Sequence, residues 1–278
     1  HARCSFLAGM TGLPHRLTTH GLRPARTPLI VYAASLAQKG VRCLSALTAA
    51  AWCIAAPAYA TPHIQLTAQR ASYELSLAES TGGTTLSATG HMTYTVHDTC
   101  AAWSTQQHLD IESMTRNSGA VHLVSDYTTL ESKDGHHLAF RTVQKSNDTI
   151  MQTIMGEATL TPTGGVVHYE KPLRKTLKLP AGTLFPMAHT QALLTAAANG
   201  QSEISPLIFD GTATDGAQYT YISTSGWAKA IPPVPAPLLA ELPTTKVHVA
   251  FFSSAPENML PDYEMCMRYF ANGVSDKL

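Results

Sequence analysis

The sequence predicts an all-β, mainly antiparallel fold: a large curled sheet with one plugging α-helix near 186–199. Three observations support this prediction. Apolar and polar residues alternate along most of the chain after position 70, as expected for strands that bury one face. Clusters of Gly, Asn, Asp, Ser and Pro separate the alternating segments, as turns between strands require. One segment alone shows the spacing of a helix.

The alternation begins near Tyr73, where every second residue is apolar. A second segment runs from Leu86 to Val96 and is interrupted at Gly90. Asp134-Gly135 is one of the turn signals between later segments. Those later segments are 103–111, 121–127, 137–144, 149–160, 165–170, 175–179, 203–209, 217–223, 245–252 and 262–270.

The predicted helix begins at Pro186, which suits a first helical turn because the N–H that it lacks would have no partner within the helix. Four residues then share one face at helical spacing: Thr190, Leu193, Leu194 and Ala197. Asn199-Gly200 supplies residues that readily adopt the left-handed conformation at a helix end. A single helix among many strands is expected to enter the concave side of the sheet, with Leu193 and Leu194 in the core.

Residues 39–60 have the features of a secretory signal peptide. Lys39 and Arg42 precede an apolar run, and Ala58-Tyr59-Ala60 forms a small-x-small cleavage site. The run is shorter than the ~20 apolar residues that span a bilayer. We therefore predict export, cleavage after Ala60 and a periplasmic product without a transmembrane anchor. Residues 1–38 are interpreted as a mis-called upstream extension, and 61–278 as a single domain.

The charge balance argues against nucleic acid as a partner. The first sixty residues hold six basic and no acidic residues, whereas the remainder holds 13 basic and 19 acidic residues. The domain after the leader is therefore acidic, while phosphate contacts need clustered Lys and Arg.

Local motifs for catalysis, cofactors and metals are absent from the sequence. There is no Gly-x-Ser-x-Gly elbow, phosphate loop or dinucleotide fingerprint. His91 and His97 lie ~20 Å apart on the solvent face of one strand, so they cannot share a metal. His136-His137 is predicted to occupy a surface turn, and His189 to be a structural histidine. We therefore predict no enzyme activity, no cofactor and no metal site, although carboxylates from distant strands could still meet in space.

Two cysteines remain after the leader, Cys100 and Cys266. An oxidising compartment favours a disulfide between such cysteines. By the period of two, Cys266 points with Glu264 and Arg268 towards the more polar face of its strand. Nothing in the local sequence brings Cys100 within bonding distance of it.

Two stretches carry a resemblance to a known family. Leu179-Pro180-Ala181-Gly182-Thr183-Leu184-Phe185-Pro186 runs into His189, and Phe209-Asp210-Gly211 follows it. Together with the segment around Gly90-His91-Met92 that leads to Cys100, these residues resemble the EipB family of cell-envelope integrity proteins, also described as DUF1849. The resemblance runs from about residue 71 to residue 278. It implies a β-spiral similar in outline to lipoprotein carriers of the LolA/LolB type, and no established enzymatic activity.

The resemblance also assigns structural roles to motif residues and a bond to Cys100. The motif residues are Leu179, Pro180, Gly182, Thr183, Leu184, Phe185, Pro186, His189, Asp210 and Gly211. In the family, the cysteine that matches Cys100 pairs with a C-terminal cysteine beyond the position of Leu278, so we expect the sequence to be truncated. Two other arrangements stay open: Cys266 substitutes as the partner, or Cys266 is a small core residue and Cys100 is unpaired.

The predicted function is maintenance of cell-envelope integrity in the periplasm of a Gram-negative bacterium, without enzymatic activity. The protein would bind a protein partner or a lipid acyl chain in its concave face, and the resemblance suggests a periplasmic tetratricopeptide-type partner. One alternative is a periplasmic lipid or lipoprotein carrier, and a second is a hydrolase of envelope polymers. An apolar concave wall open to solvent would favour the carrier, whereas a concavity filled by the helix would favour a protein partner.

Overall fold

Two curled sheets, one α-helix and a one-turn 3₁₀-helix (Pro237–Leu239) are the regular elements in the part of the chain that the structure describes. The computed structural model describes residues 64–78, 85–117, 119–253 and 260–278, and the predicted leader lies outside these ranges. The sheets are almost entirely antiparallel and together form a half-barrel. The predicted fold class, mainly antiparallel β with one helix, is therefore confirmed.

The first sheet is an uninterrupted meander in which each strand pairs with the next. This order follows from the short turns of the sequence, because antiparallel neighbours can be joined by a few residues. Its strands are β1 (Gln69–Ser76), β2 (Thr85–Asp98), β3 (Ala102–Thr115), β4 (Gly119–Ser132), β5 (His137–Ser146), β6 (Thr149–Thr161), β7 (Gly164–Lys171) and β8 (Lys175–Leu179).

The second sheet has the order β15-β14-β13-β12-β11-β9, with β10 also paired to β12. The predicted strand over 203–209 is in fact two short strands, because Pro206 lies between them and has no N–H to continue a ladder. Its carbonyl instead accepts a hydrogen bond from the Thr220 N–H, at 3.1 Å. The strands are β9 (Thr183–Leu184), β10 (Glu203–Ile204), β11 (Leu207–Ile208), β12 (Gln218–Lys229), β13 (Pro243–Phe252), β14 (Tyr263–Phe270) and β15 (Ser275–Asp276).

The free edges of the two sheets, β1 and β15, meet through side-chain and loop hydrogen bonds. The Tyr73 hydroxyl donates to the Ser275 carbonyl at 2.9 Å, and the Gln69 amide donates to the Gly273 carbonyl at 3.0 Å. These contacts bring the start of the first sheet beside the end of the second. The inner faces of both sheets therefore look onto one concavity.

The helix α1 spans Pro186–Ala198, and Asn199 is its C-cap, as the sequence predicts. Leu193 and Leu194 are 2% and 0% exposed and pack against the inner face of the second sheet. Their partners there include Ile208, Ile222, Val247, Val249 and Met267. Across the described residues, no helix combines the length and apolarity needed to cross a membrane.

A second core lies between the first sheet and the segment that precedes the helix. Phe209 stands edge-to-face with Phe140, Tyr169 and Phe185, at ring-centroid distances of 5.3, 6.3 and 6.4 Å. This geometry is the one that aromatic quadrupoles prefer. The aromatic cluster holds the segment that leads into the helix against the inner face of β5 and β7.

Candidate functional site

The N-terminus of α1 is capped by a carboxylate from another part of the chain. Phe185 occupies the N-cap position and has no polar side chain to offer, and the first turn contains no acidic residue. Glu131 on β4 supplies the cap: its two carboxylate oxygens accept hydrogen bonds from the N–H groups of Met187 and Ala188, at 2.8 and 2.9 Å. Glu131 is 1% exposed, and this burial raises the pKa of its carboxyl to about 7.

The family motif around Asp210 forms a rigid turn against the inner face of the first sheet. The Asp210 carboxylate accepts hydrogen bonds from the N–H and hydroxyl of Thr212, at 2.9 and 2.7 Å. The Asp210 carbonyl accepts from the Tyr127 hydroxyl at 2.8 Å. Gly211 has a φ of +76°, and a Cβ there would lie 2.4 Å from the Phe140 ring. Only glycine fits this position, because any side chain would strain the backbone and clash.

The motif that leads into the helix is also structural in this fold. Gly182 has a φ of +80° in the turn after β8. The Thr183 hydroxyl donates to the Pro180 carbonyl at 2.8 Å, which closes that turn. Leu179 and Phe185 are 3% and 0% exposed. Leu184 pairs with Ile208 through the parallel β9–β11 ladder, and Pro186 begins the helix.

His189 is buried and has a hydrogen-bond partner. It is 5% exposed, and its Nε2 lies 3.0 Å from the Thr220 hydroxyl oxygen. That hydroxyl donates its own hydrogen to the Pro206 carbonyl at 2.6 Å, so His189 must be the donor through Nε2–H. Burial lowers the pKa of His189 to about 4. These contacts give a neutral histidine that joins α1 to the second sheet.

Five tyrosines line the concavity beyond the helix, and we call them the tyrosine belt: Tyr73, Tyr94, Tyr127, Tyr263 and Tyr269. All five retain partial exposure. Burial is the largest cause that raises the pKa of each phenol above its ordinary value. The belt therefore presents neutral hydroxyl groups, which can donate and accept hydrogen bonds but carry no charge.

Beyond the belt, the inner face of β1–β4 carries half-buried apolar side chains. Met92 pairs with Leu109 across β2 and β3, and Ile111 and Leu123 lie opposite each other on β3 and β4. Leu75 lies on the same face of β1, two residues from Tyr73. We call these five residues the inner apolar wall. By comparison, Leu193 on the helix and Phe185 at its N-cap are fully buried.

The outer face of the same strands carries a cluster of histidines and aspartates. His91 lies opposite Asp110 across β2 and β3, and His108 precedes Asp110 by two residues on the same face of β3. One donor atom from each of these three residues lies within 4.8 Å of the others. Sequence reasoning considered only spacing within a strand and missed this group, because its members meet through the pairing register.

Cys100 occupies a tight turn between β2 and β3. It is exposed, has a φ of +67°, and has no disulfide within the described part of the chain. Cys266 lies on β14 opposite His248. The pairing of Cys100 with a cysteine beyond Leu278 stays a prediction.

Comparison with known proteins agrees with the architecture. A family model described as EipB-like matches residues 60–278. The chain belongs to the EipB-like family. It is also similar to the crystal structure of a beta-barrel-like protein of the domain of unknown function DUF1849 from Brucella abortus. That similarity has a TM-score of 0.70 at 22% sequence identity and covers 76% of this chain and 90% of that chain. No curated protein matches the chain.

The family resemblance that the motifs suggested is thus confirmed, and the EipB-like match indicates no catalytic family. At 22% identity, the solved structure supports the shared fold. The geometry explains the structural role of the motif residues. They position the helix and the Asp210 turn, which together close one side of the concavity.

Proposed function

We propose that this EipB-like protein is a non-enzymatic periplasmic protein that maintains cell-envelope integrity by holding an apolar chain in its concave face. The bound ligand would be a lipid, held by its acyl chain. The observation that carries the proposal is the inner apolar wall, which stands beside the tyrosine belt and keeps partial solvent exposure. Apolar surface in a concavity with a few polar groups is typical of ligand sites.

The inner apolar wall and the tyrosine belt would contact different parts of the lipid. The apolar side chains of Met92, Leu109 and Ile111 would contact the acyl chain. Each CH₂ group buried there would contribute about 0.8 kcal/mol to the free energy of binding. The neutral tyrosine hydroxyls would hydrogen-bond an ester or hydroxyl group at its end. Tyr127 already donates to a backbone carbonyl, so its hydroxyl remains available as an acceptor.

The carboxylates of Glu131 and Asp210 support a non-enzymatic function, because the fold uses both of them. The Glu131 oxygens accept the helix N–H groups, and one Asp210 oxygen accepts two hydrogen bonds from Thr212. These hydrogen bonds occupy both carboxyl groups within the fold, whereas a glycosidase uses two carboxyl groups that flank the substrate. The hydrolase alternative is therefore the weaker one.

The carrier alternative differs in that the acyl chain is transferred rather than retained. The partial exposure of the inner apolar wall favours it, whereas the burial of Leu193 and Leu194 against the second sheet favours a fixed structure. A periplasmic tetratricopeptide-type partner would fit either function as the receptor of the loaded protein.

Native mass spectrometry of the protein purified from its own periplasm tests the proposal. We expect a lipid adduct on the wild-type protein. Leu109→Asn should reduce the adduct and weaken binding of the fluorescent acyl probe cis-parinaric acid about 10-fold, because a polar amide replaces buried apolar surface. Leu130→Asn is the matched control, since Leu130 lies on the outer face of β4 and is 49% exposed.

Equal probe binding by wild type and Leu109→Asn, without any lipid adduct, would contradict the proposal. A co-purifying protein that Leu109→Asn releases would instead assign the concavity to a protein partner. Release of the lipid to acceptor vesicles within the time of a binding experiment would favour the carrier.

A further inference from the structure

The outer face of the first sheet brings together metal-ligating side chains that are distant in the sequence. We propose that His91, His108 and Asp110 bind a divalent transition-metal ion of the zinc and copper class. The site lies on the opposite face of the sheet from the inner apolar wall, because residues alternate between faces along each strand. It is therefore independent of the ligand site in the concavity.

The pairing register creates the site. His91 stands directly opposite Asp110, and Thr93 stands opposite His108. Cross-strand neighbours have Cβ atoms about 5 Å apart, and residues two apart on one strand share a face. One strand therefore supplies two ligands and its neighbour supplies the third.

The spacing of the donor atoms suits a metal after a small adjustment. The three donor atoms lie within 4.8 Å of one another, and the His91 and His108 rings have centroids 6.1 Å apart. Tetrahedral zinc, with bonds of about 2.0–2.2 Å, needs donors roughly 3.3 Å apart. His91 is exposed, and the other two side chains are partly so, so rotation about their side-chain bonds can close the difference.

A second set of residues orients the ligands. The Asp126 carboxylate lies 2.7 Å from Nδ1 of His108, and this contact fixes the tautomer in which Nε2 is free to bind. His122 Nε2 lies 2.9 Å from one oxygen of Asp110, which turns that carboxylate and leaves its other oxygen available. A ligating histidine backed by a carboxylate is the arrangement that metal sites commonly use.

The ligand set selects the class of ion. Two imidazoles and one carboxylate suit zinc, copper or nickel, whereas magnesium and calcium prefer oxygen ligands alone. Three protein ligands leave a coordination position open, as in zinc sites that also bind water or a small ligand. A depression of about 700 Å³ is lined in part by His108, Asp126 and Gln106.

Calorimetric titration of the untagged full chain with ZnCl₂, after chelator treatment and dialysis, tests the proposal. We expect one zinc ion per chain and no heat with MgCl₂. His91→Ala and His108→Ala should each weaken binding at least about 10-fold, and Asp126→Asn should weaken it about 10- to 100-fold. His97→Ala is the matched control, because His97 lies on the same face of β2 about 20 Å from His91.

Visible absorption of the cobalt-loaded protein gives a second measurement. The wild type and His97→Ala should show the intense bands of four-coordinate cobalt, and His108→Ala should lose them. Melting curves of the metal-free proteins should coincide, so that lost binding is not lost folding. Stoichiometric zinc binding that His91→Ala and His108→Ala both leave unchanged would overturn the proposal, as would an absence of zinc binding by the wild type.

Discussion

Glu131 provides the sharpest test of how this fold is held together, because a single buried carboxyl caps the only α-helix of the described residues. The informative substitution is Glu131→Gln, which keeps the shape of the side chain but cannot ionise. Glu131→Ala removes both hydrogen-bond acceptors. Each variant is to be compared with the wild type by urea unfolding at pH values from 5 to 8.

The expected pH dependence follows from the pKa of Glu131, which burial raises from 4.5 to about 7. Between these values the folded carboxyl keeps its proton while the unfolded one has lost it. The folded state then binds more protons, so its free energy of unfolding decreases as the pH rises, by about 1.4 kcal/mol per pH unit. Over the whole window the wild type should lose about 3 kcal/mol relative to Glu131→Gln.

The Glu131→Ala variant should be less stable than Glu131→Gln at every pH. It leaves the N–H groups of Met187 and Ala188 without their acceptors, and each unpaired buried donor costs about 1–3 kcal/mol. Because neither variant ionises, the difference between them should not change with pH. A constant difference between wild type and Glu131→Gln from pH 5 to pH 8 would refute the assignment of this titration to Glu131.

Three other predictions concern the core, a turn and the leader. Leu194→Asp should lower the free energy of unfolding by about 3–5 kcal/mol, because it buries an unpaired charge. The control Ile150→Asp, at a position 60% exposed, should change the free energy of unfolding by less than about 0.5 kcal/mol. An unchanged melting temperature for Leu194→Asp would place the helix outside the core. Gly211→Ala should cost about 2–4 kcal/mol, since its Cβ would meet the Phe140 ring at a positive φ, and urea unfolding that matches wild type would contradict this. N-terminal sequencing of protein recovered from a periplasmic fraction should begin after Ala60, and a start before residue 55 would exclude the predicted cleavage.

Much of the fold was predictable because its signals are local. The period of two identified the long strands, and Pro186 and Asn199-Gly200 marked the ends of the helix where the structure has them. Leu193 and Leu194 were correctly assigned to the core. The two-residue strands β9 and β15 were not found, because so short a segment shows no periodicity.

The Pro-rich segment 231–237 is held by contacts that no local sequence pattern indicates. Arg268 on β14 is 6% exposed and donates to the carbonyls of Ile231 and Pro233, each at 2.9 Å, and to Asp276 through Nε at 2.7 Å. Alternation placed Arg268 on the polar side of its strand, but its partners come from segments that no local pattern connects.

The sequence by itself determined where the long strands lie, which face of each is apolar, and where the α-helix lies, because these depend on the repeat of neighbouring side chains. The tertiary structure decided which faces meet. Glu131 caps a helix 56 residues further along the chain, and His91 reaches Asp110 and His108 through a register between two strands. Such contacts depend on strand pairing and sheet curvature, since a shift of one residue would turn every one of these side chains to the other face.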